Sequence, residues 1–162
     1  TETYELVATL RGHTDCVNCL TLHENKLYSG GNGVIHIWNT ETHELVATLR
    51  GHADYDYVNC LTLHENKLYS GGDDGVIHIW NTETYELVAT LRGHSNYVNC
   101  LTLHENKLYS GSGDNTIRIW NTETYELVAT LRGHTNSVKC LTFNENKMYS
   151  GSRDKSIRVW TI

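Results

Sequence analysis

No stretch of this 162-residue chain holds the ~20 consecutive apolar residues that a membrane-spanning helix needs, and no basic-then-apolar leader stands at Thr1. Methionine occurs once, at Met148, so Thr1 reads as a processed or trimmed start. Positive charge is short as well: 13 Lys and Arg stand against 19 Asp and Glu, a net charge of −6. Phosphate binding needs a basic face, so neither nucleic acid nor a membrane is an expected partner. No segment sustains a helical period, and no apolar run exceeds strand length. With 39% apolar and 20% charged residues, the composition is still that of a globular domain.

What is present is repetition. VNCLTLHENKLYSG occurs as Val17–Gly30, Val58–Gly71 and Val98–Gly111, and returns altered as Val138–Gly151. TYELVATLRGH occurs as Thr3–His13, Thr84–His94 and Thr124–His134, with His43 replacing Tyr in Thr42–His52. One unit is written four times, over roughly 1–39, 40–81, 82–121 and 122–162, within a single domain covering 1–162. In the third copy, strand-forming residues fill Tyr97–Leu103, Lys107–Gly111, Thr116–Asn121 and Glu126–Leu131, separated by turn residues. Four short strands every ~40 residues is the spacing of propeller blades, so the fold class expected is all-β.

Cys19, Cys60, Cys100 and Cys140 share one slot of the repeat. Equivalent slots in sheets packed face to face lie ~10 Å apart, too far for a disulfide. Cys16, three residues before Cys19 on what reads as the same extended strand, points to the opposite face. All five read as reduced thiols, which suits a cytoplasmic or nuclear protein, and the four periodic ones as small core residues.

Each copy pairs a Gly-His (Gly12-His13, Gly51-His52, Gly93-His94, Gly133-His134) with a Trp closing the third strand (Trp38, Trp80, Trp120, Trp160). These residues resemble the WD40 repeat family over essentially the whole chain. The usual Asp after the Trp is Asn39, Asn81, Asn121 and Thr161 here. The resemblance implies a WD40-type β-propeller of four blades per chain, and a buried hydrogen-bonded set in each. By position these sets are His52, Ser70, Asp74, Trp80; His94, Ser110, Asp114, Trp120; and His134, Ser150, Asp154, Trp160. The first copy supplies His13, Ser29, Asn32 and Trp38, with a turn one residue shorter. Asn32 brings no charge, so this blade is expected to be the least stable, and Asn32→Asp is expected to raise or hold the melting temperature.

The resemblance also implies that strand order is offset from blade order. Glu5–Leu10 is then the outer strand of a blade whose other three strands come last. Four blades closing alone need 90° each, whereas such rings resemble seven- or eight-bladed wheels. An open half-ring exposes a strand edge and two apolar faces. A head-to-tail homodimer of eight blades removes all three, each Glu5–Leu10 strand completing the last blade of its partner.

Differences between copies fall in two loops that this fold places on one rim, where binding usually resides. The second copy has a two-residue insertion and carries Asp54, Tyr55, Asp56, Tyr57 and Asp73; the third adds Tyr97; the fourth is basic, with Lys139, Arg153 and Lys155. Tyrosines and acids together suit a basic peptide or protein partner. A Ser–His–Asp combination invites a hydrolase reading, but it recurs three times, always with a Trp, so no catalytic residue is assigned. The ten histidines show no close two-ligand spacing, so no metal and no cofactor is assigned. The expected role is a non-catalytic, self-assembling binding scaffold; the alternative is a designed or excised repeat fragment with no ligand.

Overall fold

In a computed structural model describing residues 4–162, the chain forms fifteen short antiparallel strands. The first sheet contains β1 (Cys19–His23), β2 (Lys26–Gly30), β3 (Val34–Asn39) and β4 (Leu45–Arg50). The second holds β5 (Val58–His64), β6 (Lys67–Gly72), β7 (Ile77–Asn81) and β8 (Leu87–Leu91). The third holds β9 (Val98–His104), β10 (Lys107–Ser112), β11 (Thr116–Asn121) and β12 (Leu127–Arg132). Among the described residues the last has three strands: β13 (Val138–Asn144), β14 (Lys147–Ser152) and β15 (Ile157–Thr161). Each strand neighbours its sequence neighbour, so every sheet is a meander whose turns coincide with the Glu-Asn and Asp/Asn clusters.

The sheets stack face to face, and the same residues build each joint. Tyr28, Ile35, Ile37 and Leu49 of the first sheet bury against Val58, Leu68 and Trp80 of the second. Tyr69, Ile77, Ile79 and Leu91 repeat this against Val98, Leu108 and Trp120. Tyr109, Ile117 and Ile119 do so against Val138 and Met148. The β-strand period of two sends alternate side chains to opposite faces, so one face of every sheet makes the joint ahead and the other the joint behind.

The slot at Gly30, Gly71 and Gly111 shows how close these joints are. A Cβ built there would lie 2.8 Å from Val58 Cγ1, 2.5 Å from Val98 Cγ1 and 2.7 Å from Val138 Cγ1 respectively. Glycine is required because the valine of the following blade occupies that space. Val58, Val98 and Val138 are accordingly fully buried. The half-buried Cys19 and Cys60 thiols lie in the same joints and donate to the carbonyls of Val58 (3.4 Å) and Val98 (3.8 Å). Burial pushes the Cys19 and Cys100 thiols up to about 12, so neither ionises near neutrality.

Two readings of the cysteines change. Cys140 is exposed instead of being a core residue, because no fifth sheet follows it. Cys16 does not share a strand with Cys19: β1 begins at Cys19, and Cys16 lies in the exposed loop before it. All five thiols are free.

Candidate functional site

Two features stand apart from the regular packing: the hydrogen-bonded sets within the blades, and the unfinished ends of the stack. In the second blade, Trp80 Nε1–H donates to Ser70 Oγ (3.0 Å), and Ser70 and His52 Nε2 are 2.9 Å apart. His52 Nδ1 lies 3.0 Å from Asp74 Oδ2. An ionised carboxylate only accepts, so His52 carries its proton on Nδ1 and Nε2 receives the Ser70 hydroxyl proton. The third blade repeats this at 2.9, 2.8 and 2.8 Å through Trp120, Ser110, His94 and Asp114. The fourth does so at 2.8, 2.7 and 2.7 Å through Trp160, Ser150, His134 and Asp154. Asp74 and Asp114 feel opposed influences: burial raises their pKa, but the hydrogen bond from the histidine, with those from Val76 N–H and from Thr116, holds each below the usual carboxylate range.

The distances are those of a Ser–His–Asp triad, yet the chemistry is closed off. Ser70, Ser110 and Ser150 are wholly buried, and each hydroxyl oxygen already accepts from an indole. No acyl group reaches such an oxygen. What the set does is satisfy three polar groups inside an apolar joint. Ser110→Ala is expected to cost about 1–3 kcal/mol by orphaning the Trp120 indole and His94, measurable by urea unfolding.

The first blade departs from the pattern. Trp38 Nε1–H donates to Ser29 Oγ (2.8 Å), and Ser29 meets His13 Nε2 (2.7 Å), but His13 Nδ1 and Asn32 Oδ1 are both buried without a partner. Asn32, expected in the Asp slot, does not fill it. The shorter turn ties its backbone into a bridge with Tyr57 of the next blade, so its side chain stops short of the ring. An Asp inserted between Asn32 and Gly33 supplies the missing acceptor. It is expected to raise the melting temperature by about 3 °C, for roughly 1 kcal/mol gained; calorimetry checks this. Asn32→Asp alone is expected to gain less, since the backbone bridge remains.

Sequence reasoning missed a cluster of possible ligands. His52, Asp74 and His78 bring three ligand atoms within 4.8 Å of one another. Asp74 and His78 stand four residues apart where a turn enters β7, but His52 comes from the loop after the preceding sheet, so no spacing of histidines reveals the set. Their ring nitrogens are engaged: His52 donates to Asp74 and accepts from Ser70, and His78 bonds the Thr90 hydroxyl (3.0 Å) and donates to the Gly51 carbonyl. A metal ion finds no free nitrogen there. The imidazoles of His52 and His78 also contact each other edge to face, with ring centroids 4.6 Å apart. His13 and His36 also contact each other, tilted, at 4.3 Å. In the third and fourth blades Arg118 and Arg158 replace the second histidine.

On the loop rim, Asp54 and Tyr55 are exposed, Tyr55 at 84% and with φ of +71°. Asp56 and Tyr57 are half-buried. The structure uses two of the expected contact residues internally: Tyr57 O–H donates to Asp15 Oδ2 (2.8 Å), and Asp73 accepts from Asn59 Nδ2 (2.7 Å). Tyr97 is half-exposed, Arg153 and Lys155 are exposed, and Lys139 Nζ donates to Asn99 Oδ1 (2.9 Å). Asp54 and Asp56 thus lie two blades away from the basic group of the last blade.

The ends of the stack mirror each other. At the last blade, the slot at Gly151 meets no valine, and an open apolar pocket of about 170 Å³ lies over Cys140, Leu141, Tyr149, Gly151 and Ile157. Ile157 and Val159 are 75% and 58% exposed, where their counterparts Ile35 and Ile37 are fully buried. At the first blade, Val17, Leu20 and Leu22 are exposed. Residues 4–13 belong to no strand, although Leu6–Arg11 repeats the β12 sequence letter for letter. Leu10 nevertheless sits beside Trp38, Leu27 and Val17, as Leu49 sits beside Trp80 in the first complete joint.

Four meander sheets stacked through one repeated joint, each knitted by a Trp–Ser–His set, define a β-propeller repeat array. The family model for "WD domain, G-beta repeat" matches residues 4–39, 43–81, 85–121 and 125–161, and the chain belongs to that family. Its structure is similar to that of a computationally designed protein, Ika4, at 30% identity and a TM-score of 0.89, with 99% of each chain covered. A second designed protein, Ika8, matches at 31% identity and a TM-score of 0.86, over 95% of this chain and 48% of that one. U3-55K matches at 27% identity and a TM-score of 0.87, over 94% of this chain and 51% of that one. The chain therefore spans about half the length of the last two. A comparison with curated protein sequences gave no match.

Proposed function

We propose that this chain is a non-catalytic interaction scaffold that becomes complete when two copies join head to tail into an eight-bladed ring. The observation that carries this reading is the unfilled seat at Gly151, set against Val17, which is 48% exposed where Val58, Val98 and Val138 are fully buried in equivalent seats. Two joints of this kind, related by a twofold axis, leave no apolar face and no open edge. The leading segment then pairs with β15 in the register that β11 uses with β12. That register places Ile157 opposite Leu10, Arg158 opposite Thr9, Val159 opposite Ala8 and Trp160 opposite Leu6.

In the ring, the rigid blades present the variable loops on one rim. The exposed Asp54 and Tyr55, with Asp56 beside them, favour a basic peptide at the second blade. Light scattering after size exclusion tests the assembly: twice the 18.4 kDa chain mass supports it, and a stable 18.4 kDa particle sinks it. A basic peptide array tests the rim, with binding expected to weaken in salt and to vanish in the Asp54/Asp56/Asp73 triple alanine variant. The likeness to two designed proteins favours a second reading, a repeat assembly that folds and closes with no ligand. A wild-type ring that retains no peptide on such an array is the outcome this reading expects.

A further inference from the structure

In each of the first two joints, a tyrosine from the turn ahead of the outer strand lies against the preceding blade. Tyr85, two residues before β8, packs on the first joint, and Tyr125, two residues before β12, packs on the second. Both are half-buried, with φ of +62°, a left-handed conformation uncommon for a bulky side chain. A lysine of the preceding blade covers each ring: Lys26 Nζ stands 5.2 Å from the Tyr85 ring centroid, and Lys67 Nζ 5.1 Å from that of Tyr125. The same ammonium groups donate to the Thr82 and Thr122 carbonyls, at 3.3 and 3.4 Å. Burial, and after it the neighbouring Tyr85, pushes the Tyr28 phenol up to about 12; burial and Tyr125 do the same to Tyr69.

The joint between the third and fourth blades has the same seat, and it is open. Lys107, Tyr109, Ile119, Val128 and Leu131 take the places of Lys26, Tyr28, Ile37, Val46 and Leu49. With Ile162 they line an open pocket of about 110 Å³. Lys107 is exposed where Lys26 and Lys67 are half-buried. Burial raises the pKa of Tyr109, but the influence that follows is Glu105, with no tyrosine acting on it. The tyrosines of the first two seats belong to the motif TETYEL, at Thr82–Leu87 and Thr122–Leu127. One more copy of that motif exists, at Thr1–Leu6, and its tyrosine, Tyr4, is 92% exposed.

We infer that Tyr4 of a second copy inserts its ring into this pocket beneath Lys107, completing the seat between the third and fourth blades in trans, a reading that rests on the ring proposed above. The register given there sets Leu6 opposite Trp160, as Leu127 lies opposite Trp120. Tyr4 stands two residues before Leu6, as Tyr125 stands two before Leu127. It therefore falls over Lys107 as Tyr125 falls over Lys67. The chemistry suits a phenol ring: Ile119, Val128 and Leu131 offer an apolar wall, and the Lys107 ammonium meets the electron-rich face. The leading segment then engages two blades of the second copy, the fourth by strand pairing and the third through one aromatic anchor. Anchors of this kind, seated in a pocket that excludes water, dominate the energy of an interface.

Sedimentation over a dilution series tests this by measuring how tightly each variant pairs. Tyr4→Ala is expected to weaken self-association at least ~tenfold, because a twofold ring loses the anchor at both ends. Tyr4→Phe keeps the ring face and is expected to weaken it less than ~threefold. In dilute solution, where chains are single, Tyr4→Ala is expected to leave the melting temperature unchanged. Tyr125→Ala is expected to lower it, since that seat is filled within the chain. Lys107→Ala is expected to weaken pairing several-fold in the wild-type background and to add nothing in the Tyr4→Ala background, because the two groups form one contact. Three results overturn the insertion of Tyr4 and leave the ring intact: a Tyr4→Ala chain that pairs as tightly as wild type, additive losses with Lys107→Ala, or a lowered melting temperature of the single Tyr4→Ala chain. A wild-type chain that stays single overturns the ring itself.

Discussion

Val17→Glu is expected to leave the chain folded and to abolish the pairing proposed above. The other members of this slot, Val58, Val98 and Val138, each fill the space over a glycine of the preceding blade and are fully buried, so the same change at any of them places an unpaired carboxylate in a core. Val17 has no such neighbour within the chain and is 48% exposed, so the folded single chain tolerates the charge. In the ring, the carboxylate would enter the seat at Gly151, lined by Cys140, Leu141, Tyr149 and Ile157, where nothing neutralises it. Sedimentation at micromolar concentration is expected to move from twice 18.4 kDa to 18.4 kDa, while the circular dichroism of the sheets is kept. Val58→Glu is the contrasting variant, expected to unfold its joint. If Val17→Glu still pairs, the Gly151 seat is not where copies meet.

Acid is expected to destabilise this protein between pH 6.5 and about 4. His78 is pushed down to about 4, first by burial and then by the facing His52; Arg92 adds to the effect, while Asp74 and the Gly51 carbonyl oppose it. Burial likewise lowers His13, with His36 against it, and lowers His36, where the Gly12 carbonyl opposes and Arg50 adds. A histidine whose folded pKa lies below its unfolded value binds fewer protons when folded. The stability it contributes is whole above pH 6.5 and is lost as pH falls toward the folded pKa. Asp74 and Asp114 act lower, losing their contribution only below about 3.8. The melting temperature is expected to fall by on the order of 10 °C from about pH 7 to about pH 4.5. The double variant His36→Arg/His78→Arg copies the residues of the third and fourth blades, removes both imidazoles, and is expected to flatten that slope. An unchanged slope would place the acid sensitivity elsewhere.

Much of the blade was legible in the residues alone. The strands expected in the third copy, Tyr97–Leu103, Lys107–Gly111, Thr116–Asn121 and Glu126–Leu131, differ by one residue at most boundaries from Val98–His104, Lys107–Ser112, Thr116–Asn121 and Leu127–Arg132. Runs of Val, Ile, Thr and Tyr bounded by turn residues leave little choice, and four copies remove the rest. The rim read less well. Tyr57 and Asp73 looked like free contact residues, but Tyr57 bonds back across one joint to Asp15 and Asp73 accepts from Asn59. The His52–Asp74–His78 cluster was invisible because its members meet only when β7 lies beside the Gly51-His52 turn.

The sequence by itself determined that this is a four-fold repeat of antiparallel blades and which residues recur in every joint, because periodicity and β-alternation are local properties of the chain. Tertiary structure alone decided which copies of those residues have neighbours. Val17 and Val58 stand in identical words, VNCLTLH, yet one is open and the other sealed, since burial depends on what packs against a face. The same holds for Asn32, whose place in the turn was clear but whose side chain was diverted by a backbone bridge from the next blade.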